Sequence, residues 1–254
     1  MTTVARAARP RVSTVAGRRP GWRRALLVTV VSAGVAVLLG VVALGIGDYP
    51  LSVSEVVHAL THDDGFASTV VVSWRLPRVT AALAFGAALG LSGALFQSLT
   101  RNPLGSPDVI GFSAGSYTGV LLATTVLTGS GVAVAAWALG GGVVTALAVY
   151  LLAYRRGVHG LRLIVTGIGV TAMLQAVNVW LQLRAQVDVA MTASVWAVGS
   201  LDTVDWTQLW PALLGLVVCG GAVAATVRPL RQLELGDDLA AAHGLRVEPA
   251  RLAI

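Results

Sequence analysis

The sequence contains no lysine, few charged residues of either sign and a single cysteine. Without lysine, the chain lacks the phosphate-binding lysine of a P-loop and the lysine of a Schiff base, so we expect neither ATP hydrolysis at a P-loop nor pyridoxal chemistry. One cysteine, Cys219, excludes a disulfide within the chain. We predict no cofactor, no resident metal and no enzymatic activity.

Charged residues make up only 12% of the chain, against roughly 25% in soluble domains, and 56% of the residues are hydrophobic. The mean hydropathy is +0.77. This composition predicts an all-α, polytopic membrane helix bundle. Runs without charge that reach the roughly 20 residues of a membrane crossing predict six spans. These are residues 25–47, 79–100, 109–128, 131–154, 163–183 and 206–227.

Arginines are distributed unevenly between the segments that connect these spans. Residues 1–24 form a basic arm that could bind nucleic acid or anionic lipid, but ahead of an apolar span it is more typical of a topology signal. With this arm inside, only Arg75, Arg78 and Arg184 of the 18 arginines lie outside. The positive-inside rule therefore predicts a multi-pass protein of the cytoplasmic membrane with a cytoplasmic N-terminus and no nucleic-acid partner.

The predicted outer loop, residues 48–74, contains a helix signal and a candidate metal site. Ser52 and Glu55 match a capping box, which predicts a helix ending near Leu60. Histidines at i and i+4 share a helix face, so a metal could bind there, although a solvated helix end explains the same residues. That candidate set comprises His58, His62, Asp63 and Asp64.

Small and polar residues recur at helical spacing inside the predicted spans. Ala82, Gly86, Gly90 and Ala94 lie four residues apart, a pattern that lets membrane helices approach closely. We predict helix packing at Gly86 and Gly90, and also at the glycines of the next span, Gly111 and Gly115. A polar face in the fifth span predicts hydrogen bonds to other helices, with the lining of a substrate path as the alternative; it comprises Gln175, Asn178 and Gln182.

Four ordered motifs carry a resemblance to a known family. They are RLPR at 75–78, SGALFQ at 92–97, RNPLGSPDVIGFSAGS at 101–116 and SVWAVGSL at 194–201. Together they resemble the FecCD family, the permease subunits of ABC importers for iron-siderophores, haem and vitamin B12. The similarity extends from about Asp48 to Val247. It implies pairing with a second copy or a paralogue in the lipid bilayer, two ABC ATPase subunits and an extracytoplasmic substrate-binding protein.

The resemblance also implies roles for individual residues. Arg75 and Arg78 of RLPR would dock carboxylates of the binding protein, although lipid phosphate or Asp63 and Asp64 could bind them instead. A cytoplasmic gate would include Asn102, Leu104, Gly160 and Leu161, where plain turn geometry is the alternative. ATPase coupling would use a short cytoplasmic helix within residues 228–254, which the sequence predicts to end at Gly244. The matching residues are Leu235, Gly236, Asp237, Asp238, Leu239, Ala240 and Gly244.

Other functions remain as alternatives. Gly111 to Gly115 matches G-x-S-x-G, so Ser113 could be the nucleophile of an intramembrane protease, but every histidine falls in a loop. An ion-coupled carrier would need an ionisable residue within a span, and none is present. Family members have about ten spans, so we expect this chain to match their first six, and a fragment that does not transport is a further alternative. Ferric siderophore is the expected cargo, ahead of haem or cobalamin.

Overall fold

The computed structural model describes residues 21–62, 65–103, 105–126, 131–154, 160–234, 236–247 and 249–250, and the side chains of Asp237 and Asp238 lie outside this description. All the regular elements in these ranges are helical, which agrees with the predicted all-α class. The ten α-helices are α1 (Gly21–Gly45), α2 (Val53–Thr61), α3 (Gly65–Ser68), α4 (Leu76–Thr100), α5 (Phe112–Thr125), α6 (Val132–Ala153), α7 (Gly160–Arg184), α8 (Val187–Val198), α9 (Trp206–Glu234) and α10 (Asp237–Ala242).

Five helical segments in the described part of the chain are long and apolar enough to cross a membrane. They are Gly21–Gly45, Gly65–Thr100, Val132–Ala153, Gly160–Arg184 and Trp206–Glu234, and each contains most of one predicted span. The segment Gly65–Thr100 is longer than predicted, because α3, a π-helix over Thr69–Arg75 and α4 follow one another without a break. Part of the predicted loop 48–74 is therefore helical.

The predicted span 109–128 differs most from the structure. A 3-10 helix over Pro107–Ile110 is followed by Gly111 in the left-handed region, and α5 then has only 14 residues, about 21 Å at 1.5 Å per residue. Gly111 lies within the uncharged run and its left-handed backbone interrupts α-helical geometry, so the run does not form one straight span. Residues 127–130 lie outside the described part.

α5 is a central helix enclosed by α6, α7 and α8. Val120, Leu121 and Ala123 on α5 are buried. Leu121 packs with Leu181 of α7 and Ala193 of α8, while Val120 and Ala123 pack with Val134 of α6. Since all three neighbours cover it, α5 has little surface left for lipid.

Two further apolar clusters lie at opposite ends of α4. At its start, Leu44, Val56, Ala59 and Val71 join α1, α2 and the π-helix. Near its end, Phe96 packs with Val149 and Ala153 of α6 and Leu163 of α7. The two ends of α4 are therefore fixed to different sets of helices.

The predicted capping box is confirmed at the start of α2. The Ser52 hydroxyl accepts a hydrogen bond from the Glu55 backbone N–H, and the Glu55 carboxylate accepts one of 2.7 Å from the Ser52 N–H. Hydrogen bonds from the Ser52 side chain and backbone hold the pKa of Glu55 below its ordinary value. The helix ends at Thr61, one residue after the predicted Leu60.

Candidate functional site

The four residues of the RLPR motif lie where the π-helix becomes α4, and we call this end of the bundle the RLPR end. Arg75 is the last residue of the π-helix, and Pro77 lies in the first turn of α4, where its fixed φ suits helical geometry. Both arginines are therefore held on a helix, whereas the sequence had suggested a loop edge.

Arg75 binds the chain's own backbone. Its guanidinium donates to the carbonyl of Leu44 at 2.8 Å and to that of Tyr49 at 2.6 Å. These carbonyls belong to the end of α1 and the loop that follows it. Arg75 thus fixes that loop, so at least part of its hydrogen-bonding capacity is used within the chain.

Arg78 is more accessible than Arg75. Its side chain is 45% exposed and donates to the backbone carbonyl of Asp202, whose carboxylate lies 4.0 Å away and is 87% exposed. Exposed ion pairs of this kind contribute only about 0–1 kcal/mol, so the pairing is readily exchanged. Asp202 was not among the predicted partners, and Asp63 and Asp64, which were, lie outside the described residues.

Aromatic side chains surround the two arginines. Phe66 contacts Tyr49 and Trp74 edge to face, with ring centroids 5.4 and 5.7 Å apart. A cavity of about 590 Å³ lies between these rings and the guanidinium groups. The surface beside the arginines therefore combines positive charge with half-exposed aromatic rings.

The π-helix also contacts α9. Trp206, at the start of α9, donates from its indole Nε1 to the carbonyl of Val72 at 2.8 Å. No pattern in the sequence predicted this contact.

The opposite end of α4 carries the NPL motif, and we call it the NPL end. Arg101 follows α4 in the left-handed region at φ 52°, and the Asn102 N–H returns to the carbonyl of Gln97 at 3.1 Å. The Gly105 N–H then donates to the Asn102 carbonyl at 2.9 Å. This turn reverses the chain tightly; Leu104 and His159 lie outside the described residues.

Gly160 brings α7 against the NPL end. A Cβ on Gly160 would lie 2.8 Å from the backbone oxygen of Thr100, so the two backbones are in close contact. Leu161 beside it is 76% exposed. Two predicted gate segments that are separate in sequence, at Asn102 and at Gly160, are therefore neighbours.

The predicted coupling segment follows α9 directly. Gly236, at φ 112°, leads into α10, where Ala240 is fully buried and Leu239 is 53% exposed. α10 ends in a Schellman motif: the Leu245 N–H binds the carbonyl of Ala240 at 3.0 Å, and Gly244 takes the left-handed conformation. Gly244 is therefore the helix stop that the sequence predicted. Leu235 lies outside the described residues.

Arg101 joins the NPL end to the last turn of α9. Its Nε and Nη2 donate to the carbonyl of Leu233, at 3.1 and 2.7 Å. Arg101 was predicted to be an inside charge at the start of the RNPL motif, and this contact was missed because its acceptor is a backbone carbonyl far along the chain. The one available signal was that the turn after α4 has Arg101 where a glycine usually ends a helix.

The predicted packing glycines fall into two groups. A Cβ on Gly115 would lie 2.0 Å from Thr145 Oγ1, and one on Gly111 would lie 2.8 Å from Thr171 Oγ1. In contrast, a Cβ on Gly86 or Gly90 would meet no atom within 4 Å among the described residues. α5 thus touches its neighbours closely, whereas this face of α4 is open.

Two of the three predicted amides bind other helices. Asn178 of α7 is buried, donates to the carbonyl of Ala114 at 3.2 Å and accepts from Thr118 Oγ1 at 2.7 Å. Gln182 donates to the hydroxyl of Tyr117. The inter-helix interpretation is therefore confirmed for both, whereas Gln175 is exposed.

Ser113, the candidate protease nucleophile, and the described histidines lie on different elements. Ser113 donates to the carboxylate of Asp108, while the described histidines lie on α2 and beside α10. His58 and His62 stack with centroids 4.4 Å apart. Within the described residues, no cluster of three or more histidine, cysteine or carboxylate side chains could hold a metal.

Comparisons with known proteins indicate one protein family. The model of the FecCD transport family matches residues 35–254. The ferric enterobactin transport system permease protein FepG of Escherichia coli is 47% identical over 91% of this chain and 70% of its own. The achromobactin transport system permease protein CbrC of Dickeya dadantii is 34% identical over 91% of this chain and 68% of its own.

A solved structure gives the same result. A metal-chelate type ABC transporter in an inward-facing conformation superposes with a TM-score of 0.77 at 28% identity, covering 91% of this chain and 71% of the other. Both the sequence motifs and the helix arrangement therefore agree with one family. The chain belongs to the FecCD transport family.

Proposed function

We propose that this chain, a permease subunit of an ABC importer in a multi-pass membrane protein family, moves ferric siderophores inward across the cytoplasmic membrane. The main structural support is α4, Leu76–Thr100, which begins within the RLPR motif and is followed directly by Arg101 and the NPL motif. A single helical unit thus joins a positively charged surface to the loop beside the coupling segment. The names of the two relatives above support an iron chelate as cargo.

The RLPR end is the proposed docking surface for an extracytoplasmic substrate-binding protein. Arg78 would exchange its exposed partner Asp202 for a carboxylate of that protein, because the existing pairing is weak. Arg75 would act together with Arg78, chiefly by holding the loop after α1 in place. The half-exposed Tyr49 and Trp74 would add apolar contact area.

The NPL end is the proposed cytoplasmic gate, formed by Asn102, Leu104, Gly160 and Leu161. Its support is the contact between Gly160 and the end of α4, which places the two segments side by side. A shift of α7 against α4 would therefore change the opening between them.

The proposed ATPase contact comprises Leu235, Gly236, Asp237, Asp238, Leu239, Ala240 and Gly244. Leu239 offers an exposed apolar side chain, and glycines at positive φ bound the helix on both sides. Two ATPase subunits would each hold one such segment, since the permease would pair with a second copy or a paralogue.

The open face of α4 at Gly86 and Gly90 would accept a further helix.

Uptake of iron chelates tests this function. Cells with and without the gene are given ferric siderophores carrying labelled iron, of catecholate, carboxylate and hydroxamate types, alongside haem and cobalamin. We expect loss of one ferric siderophore when the gene is removed. Loss of haem or cobalamin uptake alone would show that the proposed cargo is wrong.

Charge reversal tests the coupling segment. With Asp237 and Asp238 both replaced by arginine, we expect uptake to fall at least tenfold while membrane insertion stays normal. Asp188→Arg, at the exposed start of α8 near the opposite end, is the control and should retain uptake. Normal uptake in the double variant would contradict the assignment of this segment.

A further inference from the structure

Arg101 makes a contact that the proposed roles above do not explain. It follows α4 directly and precedes Asn102 of the NPL motif, yet its side chain reaches the end of α9. Two of its nitrogens, Nε and Nη2, donate to one oxygen, the carbonyl of Leu233. Leu233 itself is buried, at 3% exposure, whereas Arg101 is largely exposed.

The backbone of Arg101 is in a conformation that disfavours its side chain. At φ 52° and ψ 35° it is left-handed, and it is the one residue other than glycine with positive φ in the described ranges. Glycine is the usual residue at such a helix end, because a Cβ is strained there. An arginine at this position therefore indicates a requirement for the guanidinium.

The acceptor lies at a distinctive place in α9. Carbonyls in the last turn of a helix lack an intrahelical partner, and this end of the helix dipole favours positive charge. The Leu233 carbonyl accepts from Arg101 and also, at 3.2 Å, from the N–H of Gly236. One oxygen thus connects the NPL end to the first residue of the segment that leads into α10.

We propose that Arg101 is a positioning residue that holds the coupling segment to the gate, so that movement of one displaces the other. This inference rests on the proposed function of both segments. If the ATPase subunits move α10, the end of α9 moves with it, and the fork of Arg101 transmits that movement to the turn at Asn102. Without the guanidinium, α9 and the NPL turn would move independently.

Three substitutions of Arg101 distinguish the effect of losing its guanidinium group from the effect of its strained backbone conformation. Arg101→Gly removes the guanidinium and relieves the backbone strain, and Arg101→Asn removes it in a residue that tolerates the left-handed region. Arg101→Lys keeps one charged donor but loses the fork. Arg24→Gln, on exposed α1, removes one positive charge elsewhere and is the control.

The decisive measurement is the number of ferric siderophore molecules transported per ATP hydrolysed by the purified complex in vesicles. We expect at least a tenfold decrease for Arg101→Gly and Arg101→Asn, a smaller decrease for Arg101→Lys and no change for Arg24→Gln. A purely structural defect would reduce the amount of active complex but not this ratio. An unchanged ratio in Arg101→Gly, or an equal decrease in Arg24→Gln, would overturn the proposal.

A second measurement does not depend on transport. A spin label on Ala242→Cys, in a Cys219→Ser background, reports the mobility of α10 in the assembled complex. We expect greater mobility with Arg101→Gly, and unchanged mobility would overturn the proposal. If the unmodified complex transports no ferric siderophore, the proposed function is wrong, whereas greater label mobility would still support the contact between Arg101 and α9.

Discussion

At the scale of single residues, the two arginines of RLPR have the same charge and different surroundings. Arg75 donates to two carbonyls of its own chain, at 2.8 and 2.6 Å. Arg78 is 45% exposed and meets one exposed carboxylate. The difference follows from their partners, because Arg75 contacts the end of α1 and the loop after it, whereas Arg78 contacts Asp202 between α8 and α9. Their substitution should therefore have different effects.

We expect Arg75→Ala to lower the free energy of unfolding by about 2 kcal/mol, because two carbonyls lose their donor.

Arg78→Glu should leave the free energy of unfolding nearly unchanged, since exposed pairs contribute about 0–1 kcal/mol. It should weaken binding of the substrate-binding protein about tenfold or more. Denaturant unfolding and a binding titration in lipid nanodiscs measure the two effects.

Arg75→Lys is the matched control for stability. Its free energy of unfolding should lie between those of the unmodified chain and Arg75→Ala, because a single ammonium group replaces the forked guanidinium. Equal binding-protein affinity for Arg78→Glu and the unmodified permease would contradict docking at this arginine.

Residues were predicted well where a signal is local. The capping box of Ser52 and Glu55 and the stop at Gly244 depend on neighbours within a few positions, and both were found. The contacts of Arg101 and Trp206 end on backbone carbonyls more than 100 residues away, at Leu233 and Val72. No side-chain pattern in the sequence indicates such an acceptor.

At the scale of elements, α5 and α6 show the closest packing of two helices. A Cβ on Gly119 would lie 2.0 Å from the carbonyl oxygen of Trp137, and one on Gly141 would lie 2.3 Å from that of Gly115. Glycines on both helices therefore allow their backbones to touch. The face of α4 at Gly90 has the same small residues without a neighbour in the described part.

Alanine substitutions distinguish these two faces. Gly115→Ala should destabilise the fold by about 1–3 kcal/mol, because its Cβ overlaps Thr145 and the Gly141 carbonyl. Gly90→Ala should leave the isolated chain as stable or raise its stability by up to about 1 kcal/mol, since alanine favours helix. Unfolding in mixed micelles measures both.

The same Gly90→Ala variant also tests whether another subunit uses the open face. Reduced co-purification with the partner permease, at unchanged stability of the chain, is expected if a helix packs there.

If Gly115→Ala is as stable as the unmodified chain, that result would contradict the packing described for α5.

The sequence predicted helices where a long run of residues carries no charge. Uncharged runs gave the approximate position of α1, α4, α6, α7 and α9, since a crossing helix must exclude charge over its length. They overestimated the length of α5, because the left-handed Gly111 interrupts the run without adding a charge. The π-helix at Thr69–Arg75 was also missed, because residues 48–74 were predicted to form an outer loop.

At the scale of the whole molecule, the bundle has two chemically different ends. The RLPR end carries arginines paired with carbonyls and with Asp202, whereas the NPL end carries Arg101 and leads to α10. The charge asymmetry of the sequence predicts that the RLPR end faces outward.

Cysteine labelling tests this orientation. In a Cys219→Ser background, Ser54→Cys on exposed α2 should react with a membrane-impermeant maleimide in intact spheroplasts, and Ala242→Cys should react only after permeabilisation. The reason is that the positive-inside rule places the arginine-rich segments in the cytoplasm.

Labelling of both positions after denaturation is the control for reactivity. The reverse pattern, with Ala242→Cys reacting in intact spheroplasts, would contradict the predicted topology and with it the docking role of the RLPR end.

The helix α9 is bound at both ends: its Trp206 donates to Val72 within the segment Gly65–Thr100, and its Leu233 accepts from Arg101 directly after that segment. Each donor is a specific side chain, but each acceptor is a carbonyl that any amino acid would supply. Val72 and Leu233 can therefore change identity without altering either hydrogen bond. Covariation between positions would not reveal these links, so among related permeases they have to be sought in coordinates.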